Sequence, residues 1–231
     1  MRRMLALAIL VMASGAFATG AVSASRTTTT TCPVPDSGTC LGKLAAGTYT
    51  AQSFRPKFSF RVSAGWANYL DIPGLYLLQP PGAKPPGNYI AGSFIGLETS
   101  VAPEAFDCYS RVRGVRTTPT AITAWITKQP GLVISHRRTV TVGGLHGIAL
   151  DIKMAHGAKG CLSAGATKPA VPLLVGIGPS SFDHEVAPGV TERHYLLAYK
   201  GGTLDIQMVD TSAGTHLASY SAIVGTFRFQ P

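Results

Sequence analysis

The chain has 231 residues, with 20 Lys or Arg against 11 Asp or Glu, a formal charge of +9, and 45% apolar but only 13% charged side chains. An average soluble domain carries roughly 25% charged residues, and a low-complexity chain exceeds about 25–30% Gly plus Pro; here 26 Gly and 16 Pro are scattered through an apolar background. Collagen, coiled coil and charged tail are excluded, which leaves a turn-rich β domain with a surface of Thr and Ser, long enough to bury a sizeable core.

Arg2 and Arg3 precede an apolar run from Leu5 to Ala18, which is the length of a signal-peptide core and shorter than the about 20 residues that span a bilayer. Val22-Ser23-Ala24 supplies the small residues of a cleavage site, so 1–24 reads as a signal peptide and the protein as secreted and extracellular. Losing the two arginines lowers the formal charge to +7, and no later segment is apolar enough to be a transmembrane helix of the mature chain. Residues 25–46 read as a Thr-rich spacer and a small cystine loop, since Thr27 to Thr31 has nothing apolar to bury. Residues 47–231 read as a single α+β domain, without repeats or an interior linker.

The four cysteines are Cys32, Cys40, Cys108 and Cys161. An even count in an exported chain suggests two disulfides. Of three possible pairings, the turn-prone Pro33 to Gly38 favours Cys32 with Cys40, leaving Cys108 with Cys161. Zinc is the rival, but no CxxC or HxxxH spacing supports it.

Phe58, Phe60 and Val62 alternate with polar residues, the period of a half-buried strand that ends at Gly65-Trp66. Leu75 to Leu78 reads as a strand, the prolines of 80–87 as a surface connection, and Tyr89 to Glu98 as a longer strand. Thr118 and Pro119 mark a helix start, followed by an apolar stripe of Ala121, Ile122, Trp125 and Ile126 that Pro130-Gly131 ends. Val140 and Val142, then Gly143-Gly144, then Ile148, Leu150 and Ile152 spell a hairpin. Ala155 to Pro169 is a loop around Cys161, and Val171 to Ile177 a strand. Tyr195 to Tyr199, Lys200-Gly201-Gly202 and Leu204, Ile206, Met208 form a second hairpin, before a helix from about Gly214 and a short strand with Phe227 and Phe229.

Chemistry is sparse. Gly92-Ser93-Phe94-Ile95-Gly96 sets its serine one residue too early for a nucleophile elbow, and phosphate loops and HExxH are absent. Asp183-His184-Glu185, with Glu192 and His194, is the densest group of ligating or acid–base side chains. Its spacing matches no metal pattern, so it reads as a solvated polar loop; His184, Glu185 and His194 are the candidates for a metal-dependent or hydrolytic alternative, and no cofactor is implied. Arg111, Arg113 and Arg116, and Arg137 and Arg138 at an expected turn, are candidates for binding an anion. Outside the cytosol, an anionic envelope polymer or another envelope protein is the partner that such charge implies. Without interleaved aromatics, specific nucleic-acid binding is not expected. A carrier of an apolar ligand would use a face under Trp66 and Trp125.

Phe58-Ser59-Phe60-Arg61-Val62-Ser63-Ala64-Gly65-Trp66 resembles the "F-x-V-P-x-G-W" opening of secreted Mog1/PsbP-like domains, with Ser63 and Ala64 where that family has a proline. Tyr195 to Leu197, Leu204 to Ile206 and Gly225-Thr226-Phe227-Arg228-Phe229 are similar to its last hairpin and closing strand. The stretch from Trp125-Ile126 to Leu132, with Thr141 to Leu145, looks like secreted proteins of high-GC Gram-positive bacteria. The resemblance covers roughly residues 47–229 and implies an antiparallel β-sheet packed with about two helices, in a non-enzymatic binding or accessory module of the cell envelope. It carries no catalytic residue across.

Overall fold

The computed structural model describes residues 41–83, 92–108, 110–162, 168–178 and 182–230. Its first elements are β1 (Gly42–Lys43), β2 (Gly47–Thr50), β3 (Phe58–Val62), β4 (Ala67–Ile72), β5 (Leu75–Gln79), β6 (Phe94–Glu98) and β7 (Val101–Pro103). Helix α1 (Pro119–Ile126) follows, then β8 (Leu132–Val142), β9 (Leu145–Met154), β10 (Val171–Gly176) and β11 (Asp183–Val186). The chain ends with β12 (Thr191–Tyr199), β13 (Gly202–Asp210), α2 (Leu217–Val224) and β14 (Arg228–Phe229).

Eight strands make one antiparallel sheet in the order β1-β4-β5-β6-β13-β12-β9-β8. Both of its faces are covered. Successive side chains of a strand point to opposite faces, so Tyr195, Leu197, Leu204, Ile206 and Met208 face the small sheet β2-β3-β14 and α2. Leu150, Ile152 and Leu196 face α1 and the small sheet β7-β10-β11. The fold is α+β, as expected. Phe58 centres the larger core, with the rings of Tyr76 and Phe227 each 5.0 Å away.

Local chemistry accounts for most elements. Thr118 caps α1 by accepting from the N–H of Ala121, with Pro119 at the first helical position. Ile122 and Ile126 are buried as the stripe predicts, with Thr123 rather than Ala121 beside them. Gly143 and Gly144, at φ 57° and 91°, form the two-residue turn of the β8–β9 hairpin, where right-twisted strands need left-handed backbone. The buried carboxylate of Asp71 accepts from the backbone N–H groups of Gln52, Ser53 and Phe54 and so pins the connection between β2 and β3 onto β4.

Several expectations change. His136-Arg137-Arg138 is not a turn but a bulge inside edge strand β8, where the register shifts between Ser135 and Arg138 and His136 takes φ 50°. The strand expected from Tyr89 begins at Phe94, residues 84–91 lying outside the described part, and α2 begins at Leu217 because Asp210 draws 211–216 into a turn. Asp183-His184-Glu185 is strand β11 rather than a solvated loop. Residues of the expected spacer join the fold: Gly42 and Lys43 pair with β4, and Leu44 is buried. Cys32 and Cys40 lie outside the described residues, whereas Cys108 and Cys161 are bonded, with their Cα atoms 6.0 Å apart.

That bond spans a sequence separation of 53, and a loop of this size constrains the unfolded chain by about 4 kcal/mol in the entropy model. Cys108→Ala/Cys161→Ala lowers the urea-unfolding free energy by an amount of that order, and a non-reduced digest yields a Cys108–Cys161 peptide. A Cys32–Cys108 peptide would refute the pairing.

Candidate functional site

Two constellations stand out, one sealed and one open. The sealed one fills the space between the eight-stranded sheet and β7-β10-β11. β6, β12 and β13 present Glu98, Glu192, His194, Asp205 and Gln207 on this face, and β11 lowers His184 onto them. All six are at most 4% exposed. They form one continuous chain. His184 Nε2 meets Glu98 Oε2 at 2.6 Å, and its Nδ1 meets Gln207 Oε1 at 2.6 Å. Gln207 Nε2 donates to Glu192 Oε2 (2.9 Å), which also bonds His194 Nε2 (3.0 Å), while His194 Nδ1 bonds Asp205 Oδ2 (2.9 Å).

Because Gln207 Oε1 can only accept, His184 Nδ1 donates, and one proton is shared between Nε2 and Glu98. Burial opposes a charge on His184, but the hydrogen bond and charge of Glu98, with Asp205, outweigh it and raise its pKa to about 9. His194 is raised to about 10: burial again opposes, and Asp205 and Glu192 prevail. Burial pushes Glu98 up. Neighbouring Glu104 reaches about 8 through burial and the repulsion of Asp183 and Glu185. Gly176 makes room for this arrangement, because a Cβ there would overlap the Glu98 carboxylate.

With both nitrogens of each imidazole occupied, the chain holds protons in place and has no lone pair left for a ligand. His184 and Glu185, adjacent on β11, face opposite ways, so His184, Glu185 and His194 do not converge. Among the described residues no group of three or more His, Cys, Asp or Glu is placed to hold a metal ion.

The open constellation is a cleft of about 1290 Å³ at one end of the eight-stranded sheet. There the start of β4, the end of β5, the start of β6 and the end of β13 lie side by side, with β2, β3 and α2 opposite. Trp66 and Tyr220 form its floor, both nearly buried and packed edge to face at 5.7 Å. Its rim carries Arg61, Ser93, Thr211, Ser212, His216 and Ser219.

Asp210, fully buried beneath the rim, fixes this geometry. Its Oδ1 accepts from the Ser212 N–H at 2.8 Å and contacts His216 Nδ1 at 3.2 Å, while Oδ2 accepts from the His216 N–H at 2.7 Å. Burial works against its charge, but these donors win and hold its carboxyl below the ordinary range. The His216 ring lies near-parallel to Tyr220 at 6.1 Å, and its Nε2 has no hydrogen-bond partner among the described residues. Ser93 accepts from the Thr211 N–H and bonds its hydroxyl at 3.1 Å, joining β6 to the end of β13.

The five candidate arginines lie elsewhere. Arg111, Arg113 and Arg116 are exposed between β7 and α1, and Arg137 and Arg138 are exposed on the β8 bulge. Trp66 and Trp125 pack on opposite faces of the main sheet, so they share no ligand face. Arg61, Thr211 and His216 were not singled out by the sequence, being spread over separate segments without a motif, and Ser93 drew notice only as a near miss to a nucleophile elbow.

One asymmetry concerns the whole surface. Of the ten acidic residues among those described, seven are buried, namely Asp71, Glu98, Glu104, Asp151, Glu192, Asp205 and Asp210, whereas no described Lys or Arg is.

No family model matches the chain, and a search of curated proteins finds no match. Among solved structures, the cyanobacterial PsbP (CyanoP) of Synechocystis sp. PCC 6803 is similar over 81% of this chain and 94% of that one, at 8% identity and a TM-score of 0.39. A crystal structure of a protein from Bacteroides thetaiotaomicron VPI-5482 is similar over 75% of this chain but only 45% of that one, at 8% identity and a TM-score of 0.34.

The raised pKa values fix a sign. A group raised on folding stabilises fully below its unfolded pKa, and the contribution is lost as pH rises through the folded value. For His184 and His194 that loss runs from 6.5 to about 9 and 10, and for Glu104 from 4.5 to about 8. Asp210, being lowered, acts oppositely, and its contribution disappears as pH falls below 3.8. The melting temperature is therefore highest on the acidic side of neutrality and falls toward about pH 10, with His184→Gln flattening the alkaline limb. A melting temperature constant from about pH 6 to 10 would contradict this. Gly176→Ala displaces Glu98 and costs about 1–3 kcal/mol as an overpacked site, measurable by urea unfolding.

Proposed function

We propose that the protein is an exported, non-enzymatic binding or accessory module of the cell envelope, and that it holds its partner in the cleft above Trp66 and Tyr220. The observation that carries this reading is the division of labour between the two constellations. The acid–base side chains that would serve a hydrolase are sealed and hydrogen-bonded to one another, whereas the hydroxyl-lined cleft is open and far larger than a single water-filled gap. The signal-peptide pattern of residues 1–24 supports export. The internalised carboxylates support an anionic polymer as partner, because they leave the exposed arginines, Arg111, Arg113, Arg116, Arg137 and Arg138 among them, facing solvent with few counter-charges. Such a field attracts polyanions over about 8–10 Å at moderate salt.

Ala222 is exposed on α2 and lines the cleft, so Ala222→Trp fills the cleft without entering the core. The mature protein is expected to co-sediment with cell-envelope fragments of a high-GC Gram-positive bacterium, and Ala222→Trp to lose at least about tenfold in that binding, the cost of occluding a principal site. Co-sedimentation indifferent to Ala222→Trp would remove the cleft from the reading, and no co-sedimentation would remove the reading itself.

A further inference from the structure

Resting on the cleft being the binding face, we infer that it takes an extended, hydroxyl-bearing chain carrying phosphate or carboxylate groups, with Arg61 and His216 as the residues that read the anion. Three features of the lining lead there. The first is charge: among the described residues no Asp, Glu or Lys lines the cleft, and Arg61 is the one guanidinium there. Arg61 is exposed and takes no carboxylate partner among the described residues. Its backbone is fixed, since its N–H donates to Thr226 Oγ1 at 2.9 Å, so a planar fork suited to two anionic oxygens stands on a rigid strand.

The second feature is the orientation of His216. Asp210 occupies its Nδ1 and its backbone N–H together, which leaves Nε2 as the one uncommitted ring nitrogen. The same two contacts and the Ser212 N–H engage both oxygens of the Asp210 carboxylate, which stays ionised but is buried beneath the rim and does not line the cleft. The stacking of His216 on Tyr220 restricts the ring further, so little rotamer freedom is lost on binding.

The third feature is the hydroxyl rim and the size. Ser63, Ser93, Thr211, Ser212 and Ser219 make a polar rim in which Ser93 and Thr211 bond each other and Ser219 donates to the His216 carbonyl, each hydroxyl keeping capacity to accept, which suits a chain of sugar or polyol hydroxyls and does not suit an aliphatic tail. A volume of about 1290 Å³ exceeds what one small molecule fills, which suits a segment of a longer chain. The two aromatic rings beneath are nearly buried, so they shape the floor and leave recognition to the polar rim.

The test uses the mature protein carrying Trp125→Phe, which makes Trp66 in the cleft floor its one tryptophan. Four probes are titrated against its fluorescence: a glycerol phosphate oligomer, an oligogalacturonate, uncharged maltoheptaose of matched length, and phosphatidylglycerol vesicles. Binding of either soluble anionic chain is expected, and the two arms tell phosphate from carboxylate. Arg61→Gln and His216→Gln each weaken it, Arg61→Gln by about tenfold, the worth of a charge-assisted bidentate contact. Raising salt from about 50 to 300 mM weakens it further. Equal binding of maltoheptaose would overturn the anionic class, and so would binding of vesicles alone. If no probe binds while Ala222→Trp still abolishes envelope co-sedimentation, the chain chemistry is wrong and the binding module stands; if co-sedimentation is absent too, both fall.

Discussion

The fold depends on sealing a hydrogen-bonded network of polar side chains, set among apolar ones, between two sheets. β12 and β13 cross the centre of the molecule with apolar residues on one side and Glu192, His194, Asp205 and Gln207 on the other, and both sides are covered. A buried charge without partners costs several kcal/mol, so this face can be covered only by an element that completes its hydrogen bonds. β11 is that element. Its His184 joins Glu98 to Gln207, and through Gln207 to Glu192, so docking of the β7-β10-β11 sheet and satisfaction of the network are one event.

This explains why a second small sheet sits on the polar face while the aromatic cluster sits on the other. The apolar side of the main sheet accepts any shape-matched apolar cover, here β2-β3-β14 and α2 with their phenylalanines. The polar side accepts one register only, since moving β11 by one residue would turn His184 outward and bring Asp183 or Glu185 in. Gly176 belongs to the same constraint, because β10 must pass close enough to Glu98 to leave no space for a side chain. The apolar side thus supplies the larger buried surface, and the polar side supplies the register.

The sequence was legible where local chemistry decides and illegible where a distant element does. Both long hairpins, the Thr118-Pro119 helix start, the Phe58-Phe60-Val62 strand and the Cys108–Cys161 bond follow from periodicity, capping, turn residues and cysteine count. The polar residues of β13 alternate with apolar ones, and β12 opens on four polar residues in a row, patterns that ordinarily mean contact with water. Nothing within β13 tells that Asp205 and Gln207 will be covered, since the cover comes from 183–186. For the same reason Asp183-His184-Glu185 looked solvated: three polar residues in a row hide an alternation in which only the middle one turns inward. The cleft is less legible still, because Arg61, Ser93, Thr211 and His216 meet only once four strand ends are aligned at one edge.

Burying carboxylates to specify register has a consequence at the surface. An acidic side chain that enters a network with histidine or backbone N–H groups inside the protein is no longer available to balance arginine and lysine outside it. Asp210 is the local instance: its contacts orient His216 and shape the turn that leads into α2, and they hold its carboxylate buried beneath the cleft instead of on the rim. Glu98, Glu192 and Asp205 are the distant instance, withdrawn by the sheet-to-sheet network. The charges that face solvent are therefore more one-sided than the formal +9 conveys, although basic residues are not numerous, and this follows from the same folding requirement that fixes β11 over β13.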